Sequence, residues 1–286
     1  MPSKLRRIAD VLVHTPGDEA GDVTPDNRKE LYFTDVPDPD QLRQQHRAFI
    51  ELLASEGVSV HQVRDKYNGP GHLLRDPNLY FTNDLGTSLG DVFVVSSFQH
   101  PVRQPESLVA ENVFNNLGLR TIKLSSPATF EGNDFTFLDH DTALLGIGPR
   151  TNIEGYRQLR TLCRERDITL IPVPLVPKKY YLHLNMVVTI LDKGMALFFP
   201  PVFSTEILEE LDTIDTWIPV SLGEQRTKGT NVLRLDRGKV VAYDINPETN
   251  ACLRAHDIEV LEIEGSELVK GGGGPRCMCL PTAWCD

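Results

Sequence analysis

One supersecondary pattern recurs along this chain at a spacing of roughly 50 residues, the kind of period that marks propellers and arrays. The pattern is hairpin, helix, strand. Paired apolar-rich runs flank short polar turns at 79–96, 129–148, 182–200 and 231–244. The turns contain Gly90-Asp91, Asp139-His140-Asp141, Asp192-Lys193-Gly194 and Asp236-Arg237-Gly238, residue types that tolerate the positive φ angles of tight hairpins. After each hairpin the spacing predicts an amphipathic helix, over 106–117, 152–166, 205–211 and 247–255. Short β-branched strands follow at 120–124, 168–173, 216–220 and 258–263. The N-terminal section fits as a fifth copy, with a strand at 8–14, a helix at 40–56 and a closing strand at 58–63. Five such units bury all their apolar faces only as a closed ring, which predicts one cyclic α/β domain over residues 1–286. Periodicity alone also admits a doubly wound α/β sheet, which alternates strands and helices in the same way. In a ring, strand ends meet at a central cavity, where residues distant in sequence converge.

Composition narrows the function classes. With 40% hydrophobic and 24% charged residues the chain can bury a substantial core. It has no run of about 18 apolar residues, and it reaches Asp10 before any signal-like stretch forms, so a soluble, cytoplasmic protein is expected. Five cysteines form an odd, sparse set, better read as thiols than as a disulfide framework. A net charge of -11 disfavours nucleic acid and anionic membranes as partners and is compatible with a cationic small substrate.

Three stretches could carry chemistry. The run Gly271-Gly272-Gly273-Gly274-Pro275-Arg276-Cys277-Met278-Cys279 costs backbone entropy, which points to a mobile gate or a close backbone approach, with a disordered tail as the bland alternative. Cys277 and Cys279 lack a second ligand pair at zinc-site spacing, so no metal is expected. Glu131 and Asp134 flank a glycine in a hairpin, and His183 and Asn185 alternate onto one face of an apolar stretch read as a strand. Taken alone, solvated turn charge and a structural histidine explain these residues. Asn78 and Asp84 also share a face if their segment is a regular strand.

The combination is more specific. Pro77-Asn-Leu-Tyr-Phe-Thr-x-Asp84, Phe130-Glu-Gly-x-Asp134, His183-Leu-x and Gly-Gly-Pro-Arg-Cys277-Met follow the order seen in arginine deiminases. Val11-Leu-Val-His-Thr-Pro-Gly17, Leu31-Tyr-Phe-Thr-Asp-Val36 and Gln45-His46 add to it, so the chain resembles the guanidino-group-modifying superfamily over nearly its whole length. That resemblance implies a five-bladed pseudo-symmetric ββαβ propeller, the pentein fold, and a hydrolase with no metal or organic cofactor. By motif position it implies Cys277 as nucleophile, His183 as general acid/base, Asp84 as guanidinium ligand, and Glu131 holding both His183 and a substrate nitrogen. Phe81 would stack on the planar cation, and Arg103, Arg150 and Asn78 would grip the substrate carboxylate. Asp134 and Asn185 complete the expected substrate contacts.

The chain also departs from the deiminase pattern. Asn185 stands where deiminases usually carry Asp, which removes one negative charge near the guanidinium, and Asn83 stands where they commonly have Arg. The usual helical insertion between Val63 and Pro77 is missing, so the chain is similar to bare propellers such as dimethylarginine dimethylaminohydrolases and arginine dihydrolases, with the loop 62–76 expected as a lid. Amidino transfer and non-catalytic arginine binding stay open as alternatives, as does homo-oligomerisation.

Overall fold

The computed structural model describes residues 7–175 and 181–285; the first six residues of the N-terminal stretch lie outside that range. Among the described residues, fifteen strands form five three-stranded sheets. In four of them an antiparallel hairpin is followed by a parallel third strand. The second blade combines Gly86–Leu89, Val92–Val95 and Arg120–Lys123; the third, Phe135–Phe137, Thr142–Ile147 and Thr169–Pro174. The fourth has Val188–Asp192, Met195–Phe198 and Thr216–Pro219; the fifth, Leu233–Asp236, Lys239–Tyr243 and Glu259–Ile263. Gly90, Gly194 and Gly238 take φ of 64°, 78° and 66° in the hairpins, as the turn chemistry requires.

The first blade is built from both ends of the chain. Arg7–Val13 pairs in parallel with Ser59–Gln62 and antiparallel with Leu280–Cys285, with Leu12 opposite Leu280. The sequence reading supplied two of these strands and left the C-terminal run as a gate or tail; the structure makes its last six described residues the missing hairpin partner. This pairing closes the five-fold pseudo-symmetric α/β propeller.

Helices between the second and third strands cover the outside. Pro39–Ser55 starts at Asp38, whose carboxylate accepts from the amides of Asp40 and Gln41 at 3.0 Å, and Ile153–Arg164 starts at Asn152, which accepts from Gly155 at 2.8 Å. Such caps satisfy amide groups that the first helical turn leaves unpaired. Glu106–Asn116 buries Val109, Ala110, Val113 and Phe114 against the second blade, where the Phe93 and Phe114 rings stack at 3.5 Å. Each fully buried side chain of this size contributes about 1.5–3 kcal/mol. No helix among the described residues is long and apolar enough to cross a membrane.

The expected lid, 62–76, does something else. It forms the short helices Val63–Lys66 and Gly71–Leu74, and Asn68 exchanges hydrogen bonds with Asn112 on the helix Glu106–Asn116. Its residues pack on the second blade and do not border the substrate-sized pocket described below.

Deleting residues 280–286 removes the partner of Arg7–Val13 and opens the ring. The truncated protein is expected to lose its single cooperative urea transition; an unchanged midpoint and slope would show that closure does not hold the fold together.

Candidate active site

Each blade is entered through a tight turn, and one position of each turn, two or three residues before the first strand, contributes to a common centre. These residues are Asp84, Asn133, Asn185, Asn231 and Cys277, all buried. Asn133 Nδ2 donates to Asp84 Oδ1, and Asn185 Nδ2 donates to Asn133 Oδ1. Asn231 Nδ2 donates to the Asn185 carbonyl at 2.8 Å, and the Cys277 amide donates to Asn231 Oδ1 at 3.3 Å. The Asn83 amide donates to the Cys277 carbonyl at 3.0 Å and closes the circuit. Pseudo-symmetry thus brings five sequence-distant turns to one point, and the buried amides there are mutually satisfied.

The turns correct two local expectations. Asp84 lies on the 3₁₀ turn Thr82–Leu85, and His183 precedes the turn Leu184–Met186, so neither sits on a regular strand. The side chains still converge, because each turn projects two nearby residues toward the axis. The glycine run is a close backbone approach. A Cβ on Gly273 would lie 2.4 Å from the Phe81 ring, and Gly272 adopts φ of 89°.

A pocket of about 380 Å³ lies over this centre, bordered by Cys277, His183, Asp84, Asn78, Phe81, Arg103 and Arg150, with Tyr32, Asn133, Leu182, Met186 and Gly271–Gly273 completing it. His183 Nε2 is 2.8 Å from Glu131 Oε2 and 3.7 Å from Asp84 Oδ1. Arg150 Nη1 donates to both Glu131 oxygens, at 3.0 and 2.9 Å, and its guanidinium lies 4.3 Å from the Tyr32 ring centre. Arg103 sits bidentately on Glu106, at 2.5 and 2.8 Å, and reaches Asp84 at 2.6 Å. The two arginines expected to face a substrate carboxylate therefore rest on the acids of the site itself, where buried carboxylates demand a cation.

These contacts set the protonation states. Burial would push His183 down, but Asp84, the Glu131 hydrogen bond and Asp134 outweigh it and hold the imidazole above its ordinary value. Burial opposes the charge on Glu131, yet His183 and Arg150 keep its carboxyl well below the usual range. Burial, then the charge on Asp84, pushes the Cys277 thiol up to about 11, against hydrogen bonds from the turn amides. Asn185 Nδ2 lies 3.5 Å from Cys277 Sγ, placed to donate to a thiolate.

Two expected substrate contacts are placed elsewhere. Asp134 is spent inside the fold: it accepts from the Leu184 amide at 3.0 Å and from Thr151 Oγ1 at 2.6 Å, bracing the His183 turn, and burial pushes its carboxyl up to about 7. Asn185 touches the sulfur but lines the far side of the centre. Sequence reasoning assigned no role to Tyr32, Asn133, Asn231 or Lys228. The repeat offered a signal for the two asparagines, since both stand near the start of a predicted hairpin, as Asp84 does. Lys228 is buried, and burial draws its amine down to about 8, with Cys277 acting in the opposite direction. Asp84, Glu131 and His183 could together present three ligand atoms to a metal ion, but Arg103 and Arg150 already neutralise the two carboxylates.

Residues 38–283 match the family described as N,N dimethylarginine dimethylhydrolase, eukaryotic. The chain is 27% identical over 389 aligned positions to an arginine deiminase of Rhodococcus jostii (strain RHA1), covering 98% of this chain and 96% of the relative. Among solved structures, the N-terminal domain of ArgZ, an arginine dihydrolase from cyanobacteria, superposes with a TM-score of 0.81 at 19% identity, covering 96% of this chain and 97% of that one. A DDAH from Pseudomonas aeruginosa does so with a TM-score of 0.78 at 21% identity, covering 96% and 99%. The chain belongs to the dimethylarginine dimethylhydrolase family of guanidino-group-modifying penteins, hydrolases of C–N bonds in linear amidines.

Two consequences are measurable. Arg150→Met leaves the Glu131 charge in a site with 0% exposure, and chemical denaturation should show a loss of about 3–5 kcal/mol; a loss under about 1 kcal/mol would mean the pair is dispensable. A thiol pKa raised to about 11 means little thiolate at neutral pH. Alkylation of Cys277 by iodoacetamide in the protein alone, followed peptide by peptide, should therefore still climb with pH above about 9, and a plateau below pH 8 would contradict the geometry.

Proposed function

We propose that this protein hydrolyses the guanidine group of free arginine or an N-substituted arginine, with Cys277 as nucleophile and His183 as acid and base, residues 1–286 acting as one catalytic unit. What supports this most is the convergence of a sulfur, an imidazole and the Asp84 carboxylate on a pocket where a guanidinium, that of Arg103, already rests on Asp84, with Glu131 buried behind His183.

A guanidinium is resonance-stabilised and a poor electrophile, so reaction needs a strong nucleophile and a fixed carbon. The substrate cation would replace Arg103 on Asp84 and donate to Glu131, while Phe81 stacks on its plane. Arg103 and Arg150, released from the acids, would then take the α-carboxylate together with Asn78, a task that suits their bidentate fork. Bringing a cation beside Cys277 lowers the cost of the thiolate that burial and Asp84 raise. Sulfur attack on the guanidine carbon gives a tetrahedral adduct. His183, held protonated by Asp84 and Glu131, gives a proton to the departing nitrogen, which leaves as ammonia or an amine. The covalent thiouronium is then attacked by water, whose proton goes to His183, and collapse releases the ureido product and the sulfur. From arginine the products are citrulline and ammonia.

A second reading, an N-methylated arginine as substrate, is favoured by a specific feature. Asn185 directs its amide to Asn133 and the sulfur in place of a second carboxylate, and Leu182 and Met186 border the pocket. A substituted nitrogen carries fewer N–H donors and more apolar surface, which a site with one acid fewer accommodates at lower cost.

Incubation with arginine and its mono- and dimethyl derivatives separates the readings: citrulline with ammonia supports the first, citrulline with methylamine or dimethylamine the second, and ornithine a two-step hydrolysis. Cys277→Ala is expected to lower turnover by at least about 10³-fold, and quenched wild-type reactions should carry a mass adduct on the peptide containing Cys277. Turnover retained in Cys277→Ala would end the covalent mechanism.

A further inference from the structure

Glu106 is buried, yet it takes no part in the chemistry proposed above. It is the first residue of the helix Glu106–Asn116, directly after Pro105, where a helix N-terminus favours an anion. Arg103 ends the short turn Pro101–Arg103, three residues earlier. The proline between them restricts the backbone that joins the pair. Hydrogen bonds fix both sides of this frame: the Arg103 amide donates to the His100 carbonyl at 3.1 Å, and Ser107 Oγ donates to the Ser96 carbonyl at 2.6 Å. The Arg103 guanidinium carbon lies 4.9 Å from the Phe98 ring centre, so one face of its plane is covered as well.

A guanidinium carries its N–H donors in two forks, a side fork of Nε and Nη2 and an end fork of Nη1 and Nη2. Glu106 fills the side fork of Arg103, at 2.5 Å from Nε and 2.8 Å from Nη2, while Asp84 takes Nη1 at 2.6 Å. Once a substrate guanidinium displaces Arg103 from Asp84, the side fork stays occupied and the end fork is what Arg103 has to offer. We propose that Glu106 is a positioning residue: it holds Arg103 by the side fork so that the end fork receives the substrate α-carboxylate, and through Arg103 it selects amino acids over the corresponding amines. This inference rests on the reading of the site as one for free arginine or its N-substituted relatives.

The carboxylate is kept at a cost. Burial pushes the Glu106 carboxyl up to about 8, against the attraction of Arg103, and a buried ion pair adds little stability that apolar side chains of the same volume would not supply. What such a pair does supply is direction. Without the Glu106 charge, Asp84 is the one carboxylate left in contact with Arg103 among the described residues. The guanidinium is then free to turn its side fork onto Asp84, where it holds the substrate's place and no longer presents the end fork to a carboxylate.

Calorimetric titration in a Cys277→Ala background, where turnover does not interfere, compares arginine with agmatine, the same guanidine without the carboxylate. Arginine should bind at least about tenfold more tightly than agmatine in that background, and Glu106→Gln should bring the two affinities to within about threefold. Arg103→Met should do the same, and the double variant should go no further, because Glu106 acts through Arg103. Preference for arginine that survives Glu106→Gln, or that falls further in the double variant than in Arg103→Met, overturns the inference. Arginine that fails to bind the Cys277→Ala protein, or binds no better than agmatine, instead defeats the reading on which the inference rests. Should Glu106→Gln or Arg103→Met not fold, crystals of Cys277→Ala grown with arginine decide the matter. Arg103 with its side fork on Glu106 and its end fork on the substrate carboxylate supports the assignment; Arg103 swung off Glu106, or still on Asp84 beside bound arginine, overturns it, and an empty pocket defeats the underlying reading.

Discussion

Everything in this molecule depends on the pairing of its two ends, Leu280–Cys285 along Arg7–Val13. Without it the first blade lacks its hairpin, the ring is open, and the strand Arg7–Val13 presents an unpaired edge. The same pairing positions Cys277, the proposed nucleophile. Cys277 lies three residues before that last strand, so closure carries it to the point where the other four blades deliver Asp84, Asn133, Asn185 and Asn231. Fold closure and site assembly are one event.

The electrostatics of the centre follow from burial. Two carboxylates and an imidazole lie buried within a few ångströms of one another, a cluster that is unstable unless cations share it. Arg103 and Arg150 supply them. A site built to bind a guanidinium is thus held together by guanidinium groups of its own, and the reaction proposed here exchanges one such ion for another. The Cys277 thiol obeys the same logic: burial and the Asp84 charge oppose its ionisation, and in the reaction proposed here a bound cation would offset that cost.

The recurrence of one pattern made the architecture legible. Helices and third strands fall within a residue or two of their predicted bounds, since amphipathic spacing and β-branched runs report directly on which faces are buried. The turns before each first strand were not legible. In Thr82–Leu85 and Leu184–Met186 the polar residues obey no period, and only tertiary hydrogen bonds stabilise them. Reading those stretches as strands placed Asp84, His183 and Asn185 on the wrong local geometry, although all three do converge on the buried centre. Asp134 shows the opposite error, a motif carboxylate taken for a ligand that spends both oxygens bracing the His183 turn.

By itself the sequence determined the five-fold repeat and supplied the motif residues, Cys277 among them, because hydrophobic period and residue type are local properties that survive without coordinates. Tertiary structure alone decided which groups meet. It put the C-terminal strand into the first blade, paired Arg103 and Arg150 with the buried acids Asp84 and Glu131, and made the glycine run a close contact. The reason is physical: a residue's partners in a buried polar site are set by directions and distances that accumulate around the whole ring, and no local segment encodes that closure.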